Sequence, residues 1–140
     1  MANLRDLANK LSALADTEAK AAGNRRSILV ATVMLEQLVY TTPVDTSKAE
    51  SNWQVSIGTP AAGGALPPFY PGVKGSTAEA SAQAAIDAGM AVLKTKQPGE
   101  TIYISNVTPY IKALNGGSSR QAAPGFIERA ILVGRNAGKV

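Results

Sequence analysis

The chain has 140 residues, 14 basic and 10 acidic for a net charge of +4, and it contains neither cysteine nor histidine. That length suits a single domain, residues 1–140, which on folding buries roughly 70% of the surface its unfolded chain exposes. The missing residue types exclude a disulfide framework, the usual thiolate or imidazole ligands of zinc, Ser-His-Asp or Cys-His catalysis, and a histidine pH switch.

Leu4, Leu7, Leu11 and Leu14 recur at spacings of three and four, the stripe of an amphipathic helix. Glu18 takes the next position and ends the stripe. Residues 1–22 therefore read as a helical extension, with a break at Ala21-Ala22-Gly23-Asn24, where Gly disfavours helix and Asn24 can cap a second helix. Arg25–Tyr40 reads as the main helix, apolar on most sides and hence central. Pro43 ends it and pushes Thr42 towards an extended conformation.

Trp53, Val55 and Ile57 alternate with Asn52, Gln54 and Ser56, which predicts a half-buried strand over 52–57. Residues 58–76, rich in Gly and Pro, fit no regular element and form an extended loop of a length that is functional or disordered in most domains. Ser76-Thr77-Ala78-Glu79 matches a capping box and opens an Ala-rich helix to about Leu93, with Ile86, Met90 and Leu93 on one face. Thr101–Val107 reads as a second strand. Pro109–Leu114 reads as a short helix ended by Asn115-Gly116-Gly117. Pro124 then enters the first turn of a C-terminal helix whose face is Ile127, Ala130, Ile131 and Gly134. The expected class is α+β. It is a small antiparallel sheet of two to four strands packed against the long helix and the C-terminal helix, with extra strands drawn from Asp45–Glu50 and the ends of the long loop. Open sheet edges are candidates for pairing with a neighbouring subunit.

No phosphate-binding loop, no GxGxxG and no carboxylate pair marked out by spacing is present. Ser47-Lys48 falls in a turn, where solvation accounts for it. The expectation is a protein that is not an enzyme and takes no cofactor or metal. The opening MANLRDLANKLSALAD, interrupted by Asp6 and Asp16, does not read as a signal peptide. The longest apolar run, Ile28–Leu35, is far short of the ~20 residues that cross a bilayer. No membrane partner is expected. The basic residues are dispersed, with only Arg25-Arg26 and Lys94/Lys96 close together, and the aromatics are one Trp, four Tyr and two Phe. That is thin for a nucleic-acid groove.

Three segments in fixed order carry a resemblance. Thr42-Pro43-Val44-Asp45-Thr46-Ser47 leads into Ser51-Asn52-Trp53. Ser105-Asn106-Val107 is followed by Pro109-Tyr110-Ile111 and Leu114. Gln121-Ala122-Ala123-Pro124-Gly125-Phe126 precedes the terminal helix. Over residues 22–140 the chain resembles the tailed-phage neck and tail-completion family of small virion proteins, also described as head–tail joining or minor tail components. Its members carry TPVDTG…SW, N…PYA…LE.G and PPGF segments. Ser47 stands where that family usually has Gly, Asn115-Gly116 replaces its acidic–aromatic pair, and Ala123 replaces the first of two prolines.

The resemblance implies a virion subunit, made in the host cytoplasm, that assembles as a homo-oligomeric ring of six or twelve copies. Such a ring lies against the adaptor or portal and tail-tube proteins and encloses the DNA channel without sequence-specific binding. Whether it caps the tail or joins head to tail is left open by the motifs. A phage accessory protein that binds nucleic acid, motivated by the helices and the positive charge, is the alternative. The residues singled out as structural or interface candidates are Pro43, Asp45, Trp53, Pro67, Pro68, Phe69, Tyr70, Asn106, Tyr110, Pro124, Gly125 and Phe126. Asp45 is expected to accept local backbone N–H groups in an Asx turn, Trp53 to anchor sheet to helices, and Asn106 to cap the proline turn.

Overall fold

A computed structural model describes residues 3–139; the first two residues of the helical extension lie outside it. Asn3 starts α1, Leu4–Thr41, through a reciprocal capping box in which its side chain accepts from the Asp6 N–H at 2.9 Å and Asp6 reaches back to the Asn3 N–H. The 38 residues run unbroken for about 57 Å. The expected interruption at Gly23 is absent. One glycine costs a helix only about 1 kcal/mol, and its neighbours Ala19, Ala21 and Ala22 are the best helix formers available. Asn24 does not cap a second helix. It bonds instead to the Lys96 carbonyl and receives the Lys96 ammonium, tying mid-helix to the body. The helix ends where Pro43 removes the next N–H, with Thr42 at φ −67°, ψ 126°.

Residues Lys48–Ser51 form a helical turn, α2, and not the strand expected over 45–50. β1, Gln54–Ile57, pairs antiparallel with β2, Ile102–Ser105, in the register Gln54↔Ser105 to Ile57↔Ile102. Among the described residues the sheet has these two strands, and neither end of the intervening loop adds a third. A two-stranded ribbon is marginal alone. Here it is held by α3, Ala78–Leu93, which packs on β1 and on α1. Gly89 permits that approach, since a Cβ there would collide with the Leu35 and Val55 side chains. The Ser76 capping box does not form: Thr77 is the residue before α3, and the Ser76 hydroxyl faces the Val73 N–H. On α3, Ile86 and Leu93 are buried, as are Ser81, Ala82 and Ala85, whereas Met90 is 37% exposed.

α4, Ile111–Asn115, and α5, Phe126–Ala137, complete the chain. α5 begins after Pro124, with Gly125 as its N-cap, and packs along the second half of α1. It buries Phe126, Ala130 and Gly134, while Ile131 is left 40% exposed beside a groove. The core gathers around Leu35, Leu38, Val39, Trp53, Ile86 and Phe126. The fold is thus α+β, helices around a small antiparallel ribbon. No described helix is long and apolar enough to cross a membrane.

Candidate functional site

The three sequence segments that carry the resemblance meet at one corner of the fold. Pro43 is buried behind the end of α1, and the next residue, Val44, is held from a distance of 77 positions. Its N–H donates to Gln121 Oε1 at 2.8 Å, and its carbonyl accepts from Gln121 Nε2 at 3.0 Å. Asn106 Nδ2 donates to the Ala49 carbonyl at 2.8 Å, and its Oδ1 accepts from the Thr108 N–H at 3.1 Å. Asn106 therefore caps the proline turn and also fastens it to α2. Pro43, Asp45, Tyr110, Leu114 and Gln121 line a shared cleft of about 330 Å³. Partial burial pushes the Tyr110 phenol above its usual range.

The third segment is fixed by Asn115. Its carbonyl accepts from the Gly125 N–H at 2.8 Å, its Oδ1 from the Ile127 N–H at 2.9 Å, and its Nδ2 donates to both Glu128 oxygens at 3.0 Å. That amide lowers the Glu128 carboxyl below the usual carboxylate range, helped by a backbone hydrogen bond within Glu128. An N–H of the first turn of α5 is thereby satisfied by a side chain from α4. Gly125 sits at φ 84°, in the left-handed region where only glycine is unstrained. Pro124 is exposed beside it, and Phe126 is 1% exposed in the core.

Asp45 has a different partner from the one expected. Its Oδ1 accepts the Lys74 N–H at 2.8 Å and its carbonyl the Gly75 N–H at 2.8 Å. It pins the far end of the loop, 29 positions on, and makes no local Asx turn. Trp53 does not line this cleft but is tied to the same segment, 6% exposed, with Nε1 donating to the Thr42 hydroxyl at 2.8 Å.

Residues 58–77 contain neither helix nor strand, yet from Leu66 onward their backbone is stitched to the body. Asn52 accepts the Leu66 N–H at 2.7 Å and donates to its carbonyl at 2.9 Å, taking the place of a paired strand. Ser51 accepts the Phe69 N–H and Ser81 the Tyr70 N–H, each at 3.1 Å. Pro67, Phe69 and Tyr70 point their surfaces to solvent, and Pro68 is half-buried. Sequence reasoning missed Asn52 as a clamp. Its alternation with Trp53 and Val55 placed it on the open face of a strand, whereas it is fully buried at the end of α2.

Also unanticipated is Glu50, 2% exposed with Oε1 lacking any hydrogen-bond partner among the described residues. Burial pushes its carboxyl up to about 7; a hydrogen bond from Ser47 opposes this, and the Glu79 charge adds to it. Ser47 also meets Thr77 across the loop end, at 2.9 Å between hydroxyl oxygens. Among the described residues no three His, Cys, Asp or Glu side chains gather closely enough to hold a metal. Of the two basic pairs, Lys96 is drawn to Asn24, the neighbour of Arg25, but Lys96 is 6% exposed and its ammonium is taken by Asn24 and the Gln97 carbonyl.

No protein family, curated protein or solved structure matches this chain.

Proposed function

We propose that this chain is a structural subunit of a tailed-phage particle, acting in the neck or tail-completion region as one member of a homo-oligomeric ring at the head–tail junction. One observation carries the reading. The resemblance calls for Gly at position 47, and Ser47 adopts φ 67°, ψ 8°, the left-handed conformation that favours glycine. A glycine at position 47 would take that backbone without strain.

Two further details support it. Segments separated by up to 77 positions converge on one corner, joined by Gln121, Asn106 and Asn115. Asn115, where the family usually has an acidic residue, caps the N-terminus of α5 through its Oδ1, an acceptor role that an acidic side chain also fills, while its Nδ2 is matched to Glu128 of this chain. Exposed apolar side chains on the loop also support it. Phe69, Tyr70 and Val73 are 46%, 52% and 67% exposed on a pinned backbone, which presents apolar side chains at little ordering cost.

Deleting the gene in a phage that carries it tests the reading: the expected product is DNA-filled heads and free tails that fail to join, or tails of unregulated length. Infectious particles at normal titre would overturn it.

The nucleic-acid reading rests on a single feature, the exposed cations Arg25, Arg26 and Lys94, each within two residues of the Asn24–Lys96 tie along the chain. Three phosphate contacts would make duplex affinity fall with salt at a log–log slope near −2.7. Undetectable binding at low salt removes that reading.

A further inference from the structure

The first half of α1 carries an apolar face with nothing on it. Leu4, Leu7, Leu11 and Leu14 are 84%, 52%, 57% and 63% exposed. Residues 3–20 are exposed throughout, so this arm stands roughly 25 Å clear of the body at 1.5 Å per residue. It is helical because it continues a packed helix and has its own N-terminal capping box, which together spare it the cost of nucleation. Nothing within the subunit gives its leucines a reason to lie in a row.

On the body there is a surface of matching chemistry. The second half of α1 supplies a floor that includes Val30 and Met34, Ile127 and Ile131 of α5 form one wall, and Ile102 and Ile104 of β2 form the other. The groove holds about 660 Å³. It follows α1 from Arg26 to Leu38, about 18 Å, and the leucine stripe from Leu4 to Leu14 is about 15 Å long. Covering the four leucines would remove roughly 500 Å² from the arm, about half of the ~1,000 Å² in total that a specific contact needs.

The arm cannot reach the groove of its own subunit. Floor and arm belong to one uninterrupted helix, and folding back would require breaking it near Gly23. The geometry points to a second copy of this chain as the occupant: the leucine face of α1 from one copy docks into the groove between α1, α5 and β2 of the next. Arm and groove are different surfaces, so the contact is heterologous, and repeated in one direction it closes a ring when the rotation per subunit fits. The contact itself is independent of the phage reading; only the placing of the resulting ring at a phage neck rests on it.

Sedimentation velocity of the full chain across about 1–200 μM tests the inference, with two variants. Leu7→Ser/Leu11→Ser disables the arm, and Ile131→Arg, at an exposed position, blocks the groove. The unaltered chain should self-associate, and each variant should weaken that by about 100-fold or more, as loss of a central apolar anchor does, with circular dichroism and melting temperature unchanged. Mixing the two variants should restore one productive contact and yield a dimer that grows no further. A monomer throughout that range overturns the inference. So does an Ile131→Arg chain that associates like the parent, which would mean that arms pair with arms. If the mixture fails to dimerise although both variants are folded, the arm–groove contact is wrong. A positive result with a protein absent from particles would sink the phage reading and leave the contact standing.

Discussion

The buried carboxyl of Glu50 gives a prediction with a definite sign. It titrates near 7 in the folded chain against 4.5 for an unperturbed glutamate. Below about pH 4.5 both folded and unfolded chains hold the proton, and the group contributes no difference. Between 4.5 and 7 the unfolded chain releases the proton while the folded one keeps it. Stability therefore falls as pH rises through this window, and the loss is complete above pH 7. The integrated cost is about 3 kcal/mol. Glu50→Gln keeps the shape and one hydrogen-bonding oxygen and cannot ionise. Its stability should show no such fall between pH 4.5 and 7, and at pH 8 it should exceed the parent by about 2–3 kcal/mol, or several degrees in melting temperature. Urea unfolding read by fluorescence measures this directly, because Trp53 is the one tryptophan and is buried. A variant no more stable than the parent at pH 8, or one that keeps the parent's pH slope, would refute the assignment of Glu50 as a buried acid.

Trp53→Ala should cost roughly 3–5 kcal/mol, since it empties a core site and removes the Nε1–H that the Thr42 hydroxyl accepts; an unchanged melting curve would contradict its place in the core. Ser47→Gly relieves a left-handed backbone strain of about 1 kcal/mol and loses hydroxyl contacts to Thr77 and Glu50 of about 1 kcal/mol each, so it should fall below the parent by no more than about 1–2 kcal/mol. Ser47→Val should lose well over 2 kcal/mol, and equal stabilities for the two variants would show that position 47 is not strained. Asn52→Ala leaves the Leu66 backbone groups without their clamp; limited proteolysis between residues 58 and 70 should accelerate at least tenfold while the helical signal persists.

Local patterns in the chain predicted what depends on neighbours in sequence. The apolar second half of α1 is central, Pro43 ends it, Val55 is buried on a short strand with Trp53 buried just before it, and helices follow Pro109 and Pro124, though Pro124 lies before the N-cap and not in the expected first turn. The errors have one physical origin. Gly23, Asn24 and Asn52 all carry strong local signals for breaks, caps or alternation, and each is overruled by its surroundings in the folded chain. Gly23 is carried by its alanine neighbours, while Asn24 and Asn52 spend their amides on Lys96 and Leu66. Asp45 likewise looked local and proved to be a long-range pin on Lys74. Glu50 could not be found at all: nothing in a Lys-Ala-Glu-Ser run marks one carboxyl as buried. Of the corner where the three segments meet, the segments themselves were legible from the family resemblance, but Gln121 and Asn115, which hold them together, carried no signal of that role.

A reconstruction of the head–tail junction from particles of a phage encoding this chain bears most directly on the account. The prediction is a closed ring of density around the DNA channel into which repeated copies fit, each long helix reaching onto the next subunit. Intact particles whose junction holds no copy of this chain would contradict it.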